Sequence, residues 1–313
     1  MTAPLRLDRL DLLRELEPTA AANLDRHLLI SKEWMPHEYV PWSRGRDFDT
    51  EPYEPGQSTL GSIAQVAFEV NLLTEDNLPS YHREIVDGFG RDGAWGTWVH
   101  RWTAEEGRHA IVMRDYLLVT RGVDPDALER GRMQQMQVGY DAVGKSALDV
   151  MAYVSFQELA TRISHRNTGR YTEDPIADKL LARVAADENL HMVFYRDCVT
   201  AALELTPSQT VIAITNEVLG FEMPGTGITD FGRKAKLIAK AGIYDLRIHH
   251  DQVLKPLLTH WGFFELEGLD AEAEQARTKV AEHLAALDAM ATSYEEKAKA
   301  RAERARARQA VAV

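Results

Sequence analysis

The 313-residue sequence contains a single cysteine, Cys198. One thiol excludes an intramolecular disulfide and fits a reducing compartment. Also missing is any apolar run approaching the roughly 18 residues that a membrane-spanning helix requires. The opening stretch MTAPLRLDRLDLLRELEP puts charges into every turn, so it lacks the continuous apolar centre of a secretory signal. These absences lead to the expectation of a cytoplasmic protein. Positive charge is not in excess either: 36 Lys and Arg stand against 48 Asp and Glu, a net charge of −12. Such a field repels nucleic acid and anionic lipid, and no nucleic-acid-binding motif offsets it.

Strand-like alternation is scarce, while helical periodicity recurs between Gly, Pro and Asp breaks. With 45% apolar and 27% charged residues, the chain is an ordinary globular one, long enough to bury a large core. LDRLDLLRELEPTAAANLDRHL forms one or two amphipathic helices, followed by a Pro-rich loop that wraps the body. A second helix is expected to start with Ser58 as N-cap and run to about Phe89, kinked or divided at Pro79. A third spans Ala94 to about Thr120, and a shorter polar one holds ALERGRMQQMQ. Two more run from Ser146 to about Asn167 and from about Ile176 to Leu205. No linker marks a boundary, so positions 1–313 read as one all-α domain with its core at about 58–205. The tail at about 290–313 is basic. KAKARAERARAR, from Lys297 to Arg308, reads as a solvated helix or frayed terminus, with contact to an acidic partner as the sharper reading.

Two helices repeat one pattern. WTAEEGRH puts Glu106 three residues before His109, and DENLH puts Glu188 three before His191, so each pair shares a helix face. Glu75 precedes Glu106 by 31 residues and Glu158 precedes Glu188 by 30. At about 1.5 Å per helical residue, the legs of each hairpin climb and descend by similar lengths and return both carboxylates to one level. Four helices thus deliver four carboxylates and two imidazoles to one layer. A glutamate from each of two helices plus Glu-x-x-His from each of the other two is the site of ferritin-like di-iron or di-manganese bundles. Buried carboxylates repel one another and lose hydration, so uncompensated they protonate or unfold the bundle. Two divalent cations balance their charge, and oxygen-rich ligation with two nitrogens and no thiolate suits iron, with manganese as a substitute. Any one of these residues alone would be a surface glutamate or an ordinary helix histidine.

Several neighbours bear on the site. Glu105 faces about 100° away from Glu106 and is expected to be solvent-directed or paired. Asp187, four before His191, is placed to support a ligand from behind, as metal-bound histidines require. Trp95, Trp98 and Trp102 form a packing stripe, with Trp102 nearest the ligands. Thr161, one turn after Glu158, ordinarily bonds back to its own helix. Phe68, Met113 and Met151 are candidate channel residues, with core packing as their default role. His249 and His250 lack carboxylates at ligand spacing and read as structural.

The segments TEDNLPSYHREI, WTAEEGRHAI, YVSFQELATRISHRNTG and ADENLHMVFYRD resemble the metal-binding segments of the soluble acyl-carrier-protein desaturases, plastid and actinobacterial. The likeness runs from about Leu12 to Phe264. It implies a homodimeric helical bundle in which Glu106 and Glu188 bridge two iron ions, Glu75 and Glu158 are terminal ligands, and His109 and His191 are the nitrogen ligands. Thr161 matches a threonine linked to oxygen activation, and Trp102 a tryptophan near the site. The implied reaction uses O₂ and a ferredoxin-type electron donor to insert a cis double bond into a saturated chain on acyl carrier protein. One departure stands out: Asn189 and Leu190 occupy places where the plastid pattern has a basic pair, so a positive contact for the acidic carrier protein is missing there. Two other readings stay open. One is a di-metal oxygenase or oxidase of another substrate, such as a hydroxylase or N-oxygenase, with Tyr81 and Tyr153 available for radical chemistry. The other is a non-enzymatic iron-binding bundle, which would lack an acyl-sized channel.

Overall fold

The computed structural model describes residues 5–225 and 227–311, and among these there are helices and no strand. The first helix, α1 (Arg9–Ile30), is uninterrupted and carries Pro18 inside it. A wrapping segment with two short 3₁₀ turns, Pro36–Tyr39 and Trp42–Arg44, leads to α2 (Ser62–Glu75). The N-cap of α2 is Gly61, not Ser58. Ser58 instead turns its hydroxyl to the backbone N–H of Leu60, closing a turn four residues earlier.

Pro79 divides rather than kinks the next segment. It sits in the first turn of α3 (Leu78–Phe89), where its missing N–H costs nothing. The Thr74 carbonyl beside the break accepts the Tyr81 hydroxyl at 3.0 Å. Glu75 is therefore the last residue of α2, at the discontinuity itself. After α3 the chain reverses at Gly90 (φ +89) into α4 (Gly93–Val119). The reversal is tight: a Cβ on Gly96 would stand 2.1 Å from the Arg91 carbonyl oxygen.

α5 (Pro125–Val138) crosses to α6 (Ala147–Tyr171), whose N-cap Ser146 forms a capping box with Asp149. α6 runs past Gly169, the expected turn, because glycine there lets α7 approach closely; a Cβ would meet the Asp178 Cα at 3.2 Å. Asp174 then caps α7 (Pro175–Leu205) by accepting from the Ile176 and Ala177 backbones. The pairs α2–α3 with α4 and α6 with α7 form the ferritin-like four-helix bundle.

Further helices cover it: α8 (Pro207–Leu219), α9 (Phe231–Lys240), α10 (Leu246–Ile248), a π-helical turn, α11 (Lys255–His260) and α12 (Ala271–Val311). The basic tail is thus helical through Val311; the side chains at positions 305 and 308–311 lie outside the described residues.

The apolar core falls into two clusters that meet at the carboxylate level. One takes Trp95–Trp102 of α4, most of the apolar residues of α6 up to Ala160, and Met192–Leu203 of α7. The other takes Phe68–Leu73 of α2, Val112–Leu117 of α4 and Ala177–Val184 of α7. A polar layer sandwiched between two apolar bodies is shielded from water above and below.

Candidate metal centre

All six residues of the repeated pattern converge in that layer. Each is at most 6% exposed. They form two overlapping groups, one of Glu75, Glu106, His109 and Glu188 and one of Glu106, Glu158, Glu188 and His191. Within each group the donor atoms lie within 4.8 Å of one another, and Glu106 and Glu188 belong to both. His109 Nδ1 is 3.3 Å from Glu106, 3.4 Å from Glu188 and 3.7 Å from Glu75. His191 Nδ1 is 2.7 Å from Glu106 and 3.7 Å from Glu158.

Close as these atoms are, their angles do not make hydrogen bonds. Glu106 Oε1, Glu158 Oε2, Glu188 Oε1 and the Nδ1 atoms of both histidines are buried without a partner. Orphaned buried polar atoms are costly, and here they aim at common points rather than at each other. Metal bonds of about 2.1 Å would set neighbouring ligand atoms roughly 3 Å apart, the spacing seen here. The residues present fit two cations that share Glu106 and Glu188.

The outer nitrogens face carboxylates crosswise, His191 Nε2 in a hydrogen bond and His109 Nε2 at longer range without one. Glu105 on α4 stands 3.0 Å from Nε2 of His191 on α7, and 2.8 Å from Nε2 of His27 on α1. Glu105 is buried and paired, so the solvent-directed alternative is overturned: α1 covers that face of α4, and Arg101 binds the other carboxylate oxygen at 2.7 Å. Asp187 on α7 lies 3.5 Å from Nε2 of His109 on α4. The ligand that Asp187 faces from behind is thus His109 on the neighbouring helix, not His191 on its own. Trp34 Nε1 at 2.7 Å on the wrapping segment and Arg108 at 3.2 Å on α4 hold one oxygen of Asp187 toward those elements, and Arg183, one turn earlier on α7, holds the other.

Trp102 Nε1 donates to Glu158 Oε1 at 3.0 Å, as its place one turn before Glu106 suggested. Thr161 bonds back to the carbonyls of Gln157 and Glu158, both at 3.1 Å. The sequence reading missed His165, whose Nε2 is 3.0 Å from Glu75 and 3.4 Å from Glu188. Its signal was present, since seven residues after Glu158 is two turns along the same face.

Burial raises the Glu158 pKa well above the carboxylate range, and the Glu188 charge adds to this; Glu106 is raised by the same two causes. Burial also opposes ionisation of Glu188, but Glu158 and the three histidines crowded against it outweigh burial and bring it well below the ordinary value. Against their own burial, His109 and His191 are raised well above 6.5, chiefly by the Glu106 charge. Burial lowers the His165 pKa, but the neighbouring Glu188 and Glu75 carboxylates outweigh it and raise the value to about 9. Protons and cations thus compete for the same buried oxygens and nitrogens.

Two apolar cavities flank one turn of α6. One, about 120 Å³, is lined by Glu75, Thr161, His165, Phe231, Ile238 and Tyr244 among others. The narrower one, about 40 Å³, is lined by residues including Tyr81, Trp102, Tyr140, Tyr153, Val154 and Gln157. Phe68, Met113 and Met151 line neither and are fully buried core residues; Phe68 stacks on Tyr116. A larger polar cleft of about 950 Å³, between Arg44, Arg46, Arg170 and Asp174, contains none of the cluster residues.

Comparison with known proteins shows the family. A family model described as fatty acid desaturase matches residues 8–312. DesA1 of Mycobacterium tuberculosis, named as an acyl-ACP (acyl carrier protein) desaturase, is 50% identical over 287 residues, covering 88% of this chain and 85% of that protein. A chloroplastic palmitoyl-ACP 4-desaturase of Ophrys sphegodes is 30% identical over 302 residues, covering 90% and 75%. The X-ray structure of DesA2 from M. tuberculosis, also named as an acyl-ACP desaturase, superposes with a TM-score of 0.69 at 31% identity, covering 85% of this chain and 99% of that one.

Proposed function

The chain belongs to the fatty acid desaturase family, and from that premise we propose that it is a di-iron oxidoreductase. It uses O₂ to introduce a cis double bond into a saturated fatty acyl chain carried on acyl carrier protein, in fatty acid biosynthesis. The observation that carries this reading is the pair of overlapping donor groups sharing Glu106 and Glu188, with buried unpartnered atoms aimed inward. In it, Glu106 and Glu188 would be the carboxylates common to both ions, Glu75 and Glu158 would each serve one ion, and His109 and His191 would supply nitrogen. Iron suits this donor set, and manganese can substitute. When bound, the iron pair supplies the oxidising chemistry, with electrons delivered by a ferredoxin-type donor.

The chain's own residues do the rest. Glu105 and Asp187 face the outer Nε2 of the two imidazoles, which keeps Nδ1 free of its proton for ligation. Trp102 fixes Glu158 through one oxygen and leaves the other free. An apolar chain seated in the cavity beside Thr161, or in the one beside Trp102, would have one pair of its carbons oriented toward the cluster. Trp102 and Tyr81 wall the narrower side. The working form is a cytoplasmic homodimer.

The test is turnover. Iron-loaded protein, acyl-ACP thioesters of several lengths, O₂ and reduced ferredoxin are incubated, and the chains are analysed by mass. A chain lighter by two hydrogens is expected. Absence of any unsaturated product at every length would sink the reading, and a chain gaining oxygen would reassign the protein as an oxygenase.

A further inference from the structure

Among the described residues the last buried one of α12 is Ala291, yet the helix continues to Val311. At about 1.5 Å per residue, the part beyond Glu295 extends roughly 24 Å. Lys297, Lys299, Arg301, Arg304 and Arg306 on it are exposed, and among the described residues none of them pairs with a carboxylate. Lys297, Arg301 and Arg304 follow i, i+4, i+7 spacing and so form a stripe on one face. From Lys297 to Arg308 the sequence has six cations and one anion, Glu303, a net of +5. The rest of the chain therefore carries −17 within a total of −12.

The extension leaves the body beside the metal cluster's apolar cavity. Tyr244 lines that cavity together with Glu75 and Thr161. Three residues on, Arg247 grips α12 through Asp288, Thr292 at 2.9 Å and Glu295 at 3.0 Å. The α9 helix, which gives Phe231, Ala235 and Ile238 to the same cavity, also presents exposed Lys236 and Lys240.

We propose that the basic extension of α12 is the docking element for the acidic carrier protein that delivers the acyl chain, a proposal resting on the desaturase reading above. A body of −17 repels an acidic partner, and steering by a local patch of opposite sign overcomes this. The patch starts next to the cavity through which the chain must pass. It also stands in for the cations absent at Asn189 and Leu190.

The experiment compares iron-loaded wild type with a variant carrying Lys297→Glu, Arg301→Glu and Arg304→Glu. A control carries the same charge change at Arg14, Arg130 and Lys255. Binding of fluorescently labelled acyl-ACP is read by anisotropy at two salt concentrations, alongside KM, kcat, iron content and sedimentation. The tail variant should raise both Kd and KM for acyl-ACP by about ten-fold or more and weaken their salt dependence, with kcat and iron unchanged. Equal Kd in wild type and variant would overturn the proposal. So would loss of self-association with intact carrier binding, which would assign the stripe to a second copy of the chain. Binding is read without turnover, so failure of the desaturase reading would appear separately, as missing product.

Discussion

Glu106 and Glu105 are neighbours in sequence with different tasks, and the 100° between them on the helix separates the two. Glu106 faces the layer where four helices meet, while Glu105 faces α1 and His27. Because Glu106 belongs to both donor groups, Glu106→Ala should cost about half or more of the bound iron, read by metal analysis of purified protein. Full iron retention would contradict its bridging place. Proton competition gives a second expectation. His109 and His191 are raised above 6.5, and Glu106 and Glu158 above 4.5, so all four must shed protons to bind metal. Affinity for ferrous or manganous ion should therefore rise with pH from the acid range through neutrality, with protons released on binding. Titration calorimetry in buffers of different ionisation heat measures both, and a flat profile would contradict the assignment. The ligand glutamates and histidines were legible in sequence because ligand spacing and helical period coincide. The carboxylate behind each histidine was not, since Asp187 serves a histidine on another helix.

Between elements, the geometry depends on where helices stop. Glu75 ends α2, and the reversal at Gly90 sets the level at which Glu106 on α4 faces it. Gly96 lets the Arg91 carbonyl lie against the first turns of α4, where a methyl group would collide with backbone that cannot swing away. Gly96→Ala should destabilise the protein by roughly 2 kcal/mol or more, measured by urea unfolding. A wild-type midpoint would show that the reversal is not constrained there. Pro79 marked a break that the sequence announced. The true start of α2 was less visible, because Ser58 is a good cap residue spent on a turn and Gly61 caps only by backbone conformation.

Across the whole molecule, the wrapping segment is part of the site's support, since its Trp34 holds Asp187. That segment is pinned by one buried cation. Arg121, 1% exposed, donates to the carbonyls of Glu51 at 2.6 Å and Arg46 at 3.2 Å and lies 4.0 Å over the Phe48 ring. Arg121→Ala should expose residues 45–57 to limited proteolysis while the bundle keeps its helical circular dichroism. Cleavage no faster than in wild type would show that the segment is held elsewhere. Nothing in the local sequence around Arg121 marks it as an anchor, because its partners are about 70 residues away.

By itself the sequence determined the helical class, the two hairpins and six inward-facing ligand positions. All of these are periodic, and periodicity is written along one chain. Only the tertiary structure decided that Glu105 answers His191 while Asp187 answers His109, that His165 and His27 join the network, and that the apolar cavities run past Trp102 and Thr161 rather than Phe68 or Met151. Each of those outcomes depends on which faces of separate helices meet, and that is fixed by packing between residues far apart in the chain.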